Sequence, residues 1–159
     1  MKISVLAVGQ RQPRWADDAV ADYLARFPGD FAVTLRELKA EPRGGKSSGA
    51  DTERLLAAEA ERLRGAIPAG SLVVALDERG RDWTTEQFAK ALGEWRDRAE
   101  QPAFVIGGPD GLHDSIKRTA RQLLRLSSMT LPHALARVLL VEQLYRAWSL
   151  LARHPYHRA

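Results

Sequence analysis

Side chains able to move a proton or hold a phosphate crowd the end of the chain, which reads HPYHR. Chain ends are usually bland and frayed, whereas this one carries His154, Tyr156, His157 and Arg158. Aromatic and cationic side chains stack on bases and contact phosphates, so this tail is a candidate nucleic-acid contact. A disordered polar tail is the alternative interpretation.

A second candidate is the segment LSSMTLPH, Leu126–His133, which combines hydroxyls, apolar side chains and a histidine. The hydroxyls belong to Ser127, Ser128 and Thr130, and the apolar side chains to Leu126, Met129 and Leu131. Backbone groups in an irregular loop can bond the edge of an adenine, and apolar side chains can enclose its ring. The alternative is an ordinary strand end whose methionine and leucines belong to the core.

A third candidate is the glycine-rich stretch IGGPDG, which contains Gly107, Gly108 and Gly111. Paired glycines let the backbone approach a ligand without an intervening Cβ. The spacing fits neither the dinucleotide-binding GxGxxG pattern nor a P-loop, so a phosphate-gripping nucleotide site is disfavoured. An efficient turn with no binding role is the alternative.

Several other chemistries lack the residues they need. The chain has no cysteine, which excludes disulfides and thiolate catalysis. Its histidines form neither His-x-x-x-His nor His-Glu-x-x-His, so we expect no metal site. A small hydrolase could pair Asp77 or Asp110 with His133 and use Ser127 or Ser128 as nucleophile, but the chain has no Gly-x-Ser-x-Gly elbow.

The elements that must position these residues alternate between strand and helix along the chain. The predicted strands are Lys2–Gly9, Asp30–Lys39, Ser71–Asp77, Pro102–Gly107 and Leu123–Ser128. Helices are predicted at Trp15–Phe27, from about Asp51, at Thr84–Ala99, after the IGGPDG stretch and at Leu135–Leu151. Alternation of this kind predicts an α/β fold with a mostly parallel sheet flanked by helices. The candidate segments then follow strands, where open α/β sheets bind ligands.

Two connecting segments carry further expectations. The residues ERGRD, Glu78–Asp82, are predicted to turn the chain after its third strand. The Gly- and Ser-rich segment Ala40–Asp51, with Arg43 and Lys46, is long for a connection and is expected to be mobile or functional. No internal boundary is evident, so residues 1–159 are predicted to form a single domain.

The helix predicted at Leu135–Leu151 is apolar almost all round, whereas a surface helix shows one apolar stripe. A partner subunit covering its second side is the economical explanation. A central core helix is the alternative.

The overall composition sets the class of protein. The chain has 159 residues, 45% of them apolar, and a net charge of +4, which permits polyanion binding without requiring it. The start of the chain lacks signal-peptide features and no apolar run reaches the roughly 20 residues of a membrane helix. We therefore expect a cytoplasmic protein with no membrane contact.

Several motifs, in this order and near these lengths, resemble the SPOUT-class ribosomal RNA large subunit methyltransferase H family. They are MKISVLAVG, ADYLARF, VIGGPDGL, LSSMTLPHALARVLLVEQLYRAW and HPYHR. The resemblance spans essentially the whole chain, and the motifs of its C-terminal half are the specific ones.

The resemblance implies a fold with a C-terminal trefoil knot and a homodimer that binds S-adenosylmethionine in the knot. It further implies methylation of N3 of a pseudouridine in large-subunit ribosomal RNA, within the ribosome. The implied cofactor-binding residues are Leu76, Gly107, Gly108, Leu126, Ser127, Ser128, Met129, Thr130 and Leu131. The implied catalytic residues are His133, His157, Tyr156 and Arg158.

The imide nitrogen of a uracil-like base must lose a proton before or during methylation. A histidine, with a reference pKa of about 6.5, is a natural acceptor for that proton. His133 and His157 are the candidates by location, with His157 acting across the dimer, and water is a further alternative. A non-catalytic RNA-binding module that kept the fold is the competing interpretation of the whole chain.

Overall fold

The computed structural model, which describes residues 1–45 and 48–158, is built on one five-stranded parallel sheet. Its strands are β1 (Lys2–Val8), β2 (Ala32–Leu38), β3 (Leu72–Asp82), β4 (Pro102–Ile106) and β5 (Gln122–Arg125). They lie in the order β2-β1-β4-β3-β5, and every pair is parallel. The predicted fold class is therefore confirmed. Lys46 of the long connection lies outside the described residues.

Five α-helices cover the two faces of this sheet in the described part of the chain. They are α1 (Arg14–Arg26), α2 (Gly49–Ala66), α3 (Thr85–Asp97), α4 (Asp114–Thr119) and α5 (His133–Leu151), and a 3-10 helix follows at Pro155–Arg158. One apolar cluster joins the sheet to α3 and α5, and a second joins it to α2 and α4. Burial on both faces explains why the strand β4 is apolar throughout rather than alternating.

Side-chain caps fix where two of the helices begin. The side chain of Thr84 accepts a hydrogen bond from the backbone N–H of Gln87, and the side chain of Gln87 accepts one from the backbone N–H of Thr84. Ser48 and Asp51 form the same reciprocal pair, so α2 begins at Gly49. The described part of the long connection therefore leads into a firmly capped helix.

The turn predicted at Glu78–Asp82 is wrong, because β3 continues through these residues to Asp82. Leu76 and Arg81 are both in register with Leu124 of β5, so the intervening residues bulge out of the ladder. Charged residues beside a glycine are typical of turns, and only pairing with a strand more than forty positions away reveals the extension.

Gly80 lies within this bulge, pressed against the backbone of β5. A Cβ on Gly80 would stand 2.6 Å from the carbonyl carbon of Leu124 and 2.8 Å from the nitrogen of Arg125. Real Cβ atoms do not approach backbone so closely, so only glycine fits here without displacing a strand.

Gly80→Ala is therefore expected to lower the free energy of unfolding by about 1–3 kcal/mol, the usual cost of forcing extra atoms into a packed site. The matched control is Gly65→Ala in α2, where an added Cβ meets nothing within 4 Å and the helix should gain stability. Chemical denaturation of both variants measures the difference. Equal effects of the two substitutions would contradict this account.

The helix α5 packs against α1 and α3 and is buried along one side. Its opposite side is less covered, and Leu135 remains 38% exposed. An apolar side chain left in solvent on this side agrees with the predicted partner subunit, which stays a prediction. Among the described helices, none combines the length and apolar character needed to cross a membrane.

Candidate functional site

A cavity of about 380 Å³ opens where β4 and β5 end, beside the bulge in β3. This volume lies within the range typical of small-molecule sites. Most of the predicted binding residues line it together, namely Leu76, Gly107, Gly108, Leu126, Ser127, Met129, Thr130 and Leu131. Ser128 does not line the cavity, and it is exposed to solvent. The catalytic candidate His133 lines the cavity as well.

The structure adds lining residues that are not among the predicted cofactor-binding residues. These are Asp77, Glu78, Ile106, Pro109, Gly111, Leu124, Arg125, Pro132 and Ala136. Most directly flank a predicted residue, so widening each motif by a position or two would have found them. The exception is Ala136, which the first turn of α5 brings to the cavity.

Asp77 is a carboxylate held at the edge of the cavity. Lys117 Nζ lies 2.7 Å from one carboxylate oxygen, and the backbone N–H of Arg79 donates to the other over 2.7 Å. Burial opposes ionisation of Asp77, but these two contacts outweigh it and lower the pKa of the carboxyl. Both oxygens are engaged, which leaves Asp77 poorly placed to activate a nucleophile.

The glycine-rich stretch forms a tight turn that makes one wall of the cavity. Gly108 and Gly111 form an isolated bridge, and Gly111 has a φ of +79°. A Cβ on Gly107 would lie 2.4 Å from the carbonyl carbon and oxygen of Gly111. The backbone is therefore folded back on itself in a way that a larger residue at 107 cannot accommodate.

A buried ion pair supports this turn from behind. Glu59 of α2 is 3% exposed. Its carboxylate accepts hydrogen bonds from both terminal nitrogens of Arg43, over 2.6 Å from Nη1 and 3.0 Å from Nη2. Arg43 also donates a hydrogen bond to Asp110 of the turn over 3.1 Å. Its hydrogen bonds to Glu59 raise the pKa of the guanidinium above its usual value. An added Cβ on Gly108 would point at Glu59 and Val8 rather than into the cavity. The long connection is thus tied to the cavity wall, which supports the expectation that it is functional.

His133, the first residue of α5, uses both ring nitrogens within the protein. Arg137 Nε donates to His133 Nε2 over 2.7 Å, and the backbone of Gly107 bonds the other side of the ring. Burial, followed by the charge of Arg137, lowers the pKa of His133 to about 4, and the contact with the Gly107 backbone partly opposes this shift. This geometry favours a positioning role for His133 over that of a proton acceptor.

This environment gives the stability of the fold a defined pH dependence. Unfolding exposes His133, whose pKa then rises from about 4 toward the ordinary value of about 6.5. Between these values the unfolded chain binds a proton that the folded chain does not, so the free energy of unfolding falls as the pH drops from about 6.5 to 4. His133→Gln should reduce that slope, and urea denaturation at several pH values measures it. Identical slopes would contradict the assignment.

The predicted catalytic residues of the tail lie elsewhere. The hydroxyl of Tyr156 is 2.8 Å from that of Tyr23 in α1 and donates to Glu142 of α5 over 3.1 Å. Its ring packs on Tyr145 with centroids 4.7 Å apart. Burial, followed by these hydrogen bonds, raises the pKa of Tyr156, so the phenol stays protonated and serves as an anchor.

His157 and Arg158 extend from this anchor. The Nδ1 atom of His157 is buried and has no hydrogen-bond partner among the described residues, and Arg158 is exposed. Tyr145 lies twelve positions after His133 in one helix, which corresponds to about 18 Å at 1.5 Å per residue. Within one chain, therefore, the tail and the cavity stand at different places along α5.

The hydrolase alternative finds no support in this arrangement. The hydroxyl of Ser127 accepts the backbone N–H of Met129, and both nitrogens of His133 are engaged as described. A nucleophile needs a hydrogen bond to its base, which is not formed here. Residues 1–45 and 48–158 contain no group of acidic residues and histidines that could hold a metal ion.

Comparisons with known proteins bear on the whole chain. The model of the family described as "Predicted SPOUT methyltransferase" matches residues 1–157. The protein called ribosomal RNA large subunit methyltransferase H of Bordetella avium (strain 197N) is 53% identical over 159 residues, covering 100% of both chains. The protein of the same name from Variovorax paradoxus (strain S110) is 55% identical over 158 residues, covering 99% of each.

Among solved structures, the chain is similar to a probable methylase family protein from Haemophilus influenzae Rd KW20. The TM-score is 0.55 at 16% identity, and the match covers 98% of this chain and 69% of the other. A likeness at that identity concerns the fold alone.

Proposed function

This chain belongs to the SPOUT methyltransferase family, and from that premise we propose that it methylates N3 of a pseudouridine in large-subunit ribosomal RNA, using S-adenosylmethionine and acting on ribosomes as a homodimer. One observation carries the proposal: the residues of the motifs that resemble the family converge on one cavity, at the ends of β4 and β5 and beside the bulge in β3. The proposal includes the C-terminal trefoil knot, which is supported by the family model that matches residues 1–157.

The residues around the cavity fit S-adenosylmethionine. Leu76, Leu126 and Leu131 offer apolar surface for an adenine ring, and the turn at Gly107 offers backbone at close range. When bound, the cofactor supplies a methyl group on a sulfonium, a strong electrophile. The protein then has to orient the reacting groups and receive a proton, and it needs no covalent intermediate.

His157 is the favoured acceptor for the proton that N3 of the pseudouridine must lose. His133 has both nitrogens engaged, whereas Nδ1 of His157 has no partner among the described residues. Tyr156 anchors the tail through its hydroxyl, and exposed Arg158 is placed to contact a phosphate of the RNA.

A homodimer reconciles the separation of the tail from the cavity. In a two-fold dimer built on the less covered side of α5, with the axis crossing that helix at about a right angle, the two copies of the helix run in opposite directions. The tail of one chain then lies beside the start of α5 in the partner, where His133 marks the cavity. The exposed side chain of Leu135 supports an interface on this side of α5.

Calorimetric titration with S-adenosylmethionine is the first test, and one site per chain is expected. Ala136→Trp, which places an indole in the cavity, should abolish binding, whereas the matched variant Ala136→Ser should retain it. Methyl transfer is then measured on ribosomes whose target carries either pseudouridine or uridine, and mass spectrometry locates the methyl group. Absence of cofactor binding both with and without ribosomes would refute the proposal.

A further inference from the structure

Arg137 is the largest fully buried side chain of the molecule within the described residues. It lies on α5 one turn after His133 and is 2% exposed. Arginine is almost never fully buried unless its charge is paired. A buried arginine beside the cavity therefore calls for an explanation in terms of what it contacts.

The guanidinium of Arg137 joins three parts of the fold. Its Nε donates to His133 Nε2 over 2.7 Å, and its Nη1 donates to Glu37 at the end of β2 over 2.6 Å. Its Nη2 donates to the carbonyl of Gly9, just beyond β1. The charge is compensated by Glu37, while the planar fork fixes the direction of each donor.

These bonds determine the protonation state of the histidine. Because Arg137 Nε is always a donor, His133 Nε2 must be the acceptor and carry no proton. The remaining N–H then belongs to Nδ1 and meets the backbone of Gly107 on the cavity wall. A protonated His133 would direct an N–H at the guanidinium, so the ring stays neutral while this contact exists.

We propose that Arg137 is a positioning residue that holds His133 as the neutral Nδ1–H tautomer, fixing the Gly107 wall and keeping an imidazolium charge out of that wall for a cationic methyl donor. The inference rests on the proposed function for the identity of that donor. Its chemical logic is that a sulfonium ligand is repelled by an imidazolium in the cavity wall, whereas its neutral thioether product is not.

Other charged groups surround the cavity, and two of them are held in ion pairs. Asp77 of β3 is bound by Lys117 of α4, and Arg125 of β5 is bound by Asp82. Glu78 also lines the cavity, and Glu37 reaches His133 only through Arg137. His133 is therefore the group in this wall whose charge Arg137 controls directly.

The first test uses cofactor-free protein and nitrogen-detected imidazole NMR, with His133→Gln assigning the signal. Wild-type His133 is expected as the neutral Nδ1–H tautomer with no titration above about pH 5. In Arg137→Met the titration midpoint should move upward by about one pH unit. An Nε2–H tautomer in the wild type, or an unchanged midpoint in Arg137→Met, would overturn the inference.

The second test compares S-adenosylmethionine with S-adenosylhomocysteine, which differs by the methyl group and the positive charge. In Arg137→Met the preference for the cationic ligand should fall about threefold between pH 8 and pH 5, and in the wild type it should stay constant. Leu92→Ala, a buried core substitution in α3, controls for a merely destabilising effect and should leave the preference independent of pH. If Arg137→Met lowers the affinity for both ligands equally at every pH, the role of Arg137 is structural and the inference is wrong.

The two tests separate the inference from the proposed function. If the wild type binds neither ligand, the proposed function fails, and the NMR spectrum still decides whether Arg137 sets the tautomer. If Arg137→Met does not fold, Arg137→Lys replaces it: the lysine keeps the charge opposite Glu37 but lacks the planar fork. A lysine variant with the wild-type tautomer and midpoint would contradict the role assigned to the fork.

Discussion

A purified heterodimer of an Ala136→Trp chain and a His157→Ala chain is expected to transfer methyl groups at about half the wild-type rate, although either homodimer is nearly inactive. The first substitution fills the cavity, and the second removes the proposed proton acceptor. If the tail of one chain completes the cavity of its partner, the heterodimer contains one intact site. Two affinity tags isolate the heterodimer, and methyl incorporation into ribosomes measures the rate.

The crossed control places both substitutions in one chain and pairs that chain with a wild-type chain. A composite site predicts that this heterodimer is nearly inactive, because the intact cavity meets a damaged tail and the intact tail meets a filled cavity. A site built within one chain predicts the reverse result for both heterodimers. The pair of measurements therefore decides between the two arrangements, and a monomeric protein would refute the composite site outright.

Gly107→Ala is expected to weaken S-adenosylmethionine binding by about a hundredfold or more. The substitution distorts the whole turn that forms one wall of the cavity, rather than removing a single contact with the cofactor. The added Cβ would lie 2.4 Å from backbone atoms of Gly111, so the turn has to open. Opening the turn also moves the Gly107 backbone away from His133. Calorimetric titration of the folded variant measures the loss.

The neighbouring glycine provides the matched control for this substitution. In Gly108→Ala the new Cβ approaches Val8 Cγ1 at 3.3 Å and the oxygens of Glu59 at 3.8 Å, contacts that small side-chain shifts can relieve. Its effect on cofactor affinity should be about tenfold smaller than that of Gly107→Ala. Comparable losses at the two positions would show that the tight turn is not what shapes the wall.

Local patterns were sufficient to predict the framework that carries the cavity. Continuous apolar runs such as Pro102–Ile106 indicate strands buried on both faces, and the Thr84–Gln87 pair marks a helix start. Parallel strands end at one edge of the sheet, so motifs that follow different strands are brought together there. The glycine turn and the segment before Pro132 meet in the cavity for this reason.

Single positions within those motifs were predicted less well. Ser128 faces solvent although its neighbours line the cavity, because the chain bends after β5 ends at Arg125 and the direction of each side chain there follows no simple period. The extension of β3 to Asp82 was missed because its residues resemble a turn locally and are held by pairing with β5. The arrangement of the knot and the dimer remains part of the proposal.

Periodicity, turn chemistry and motif order can be seen in the chain without its three-dimensional structure, and they were enough to predict the parallel α/β class, the family and the segments that form the cavity. Two other features required the folded molecule: the burial of Arg137 between Glu37, Gly9 and His133, and the anchoring of the tail by Tyr156 far from the cavity. Glu37 and Gly9 lie 100 and 128 positions from Arg137 along the chain. Because a pKa or a hydrogen bond depends on the groups that surround a residue in space, such contacts cannot be predicted from neighbouring sequence.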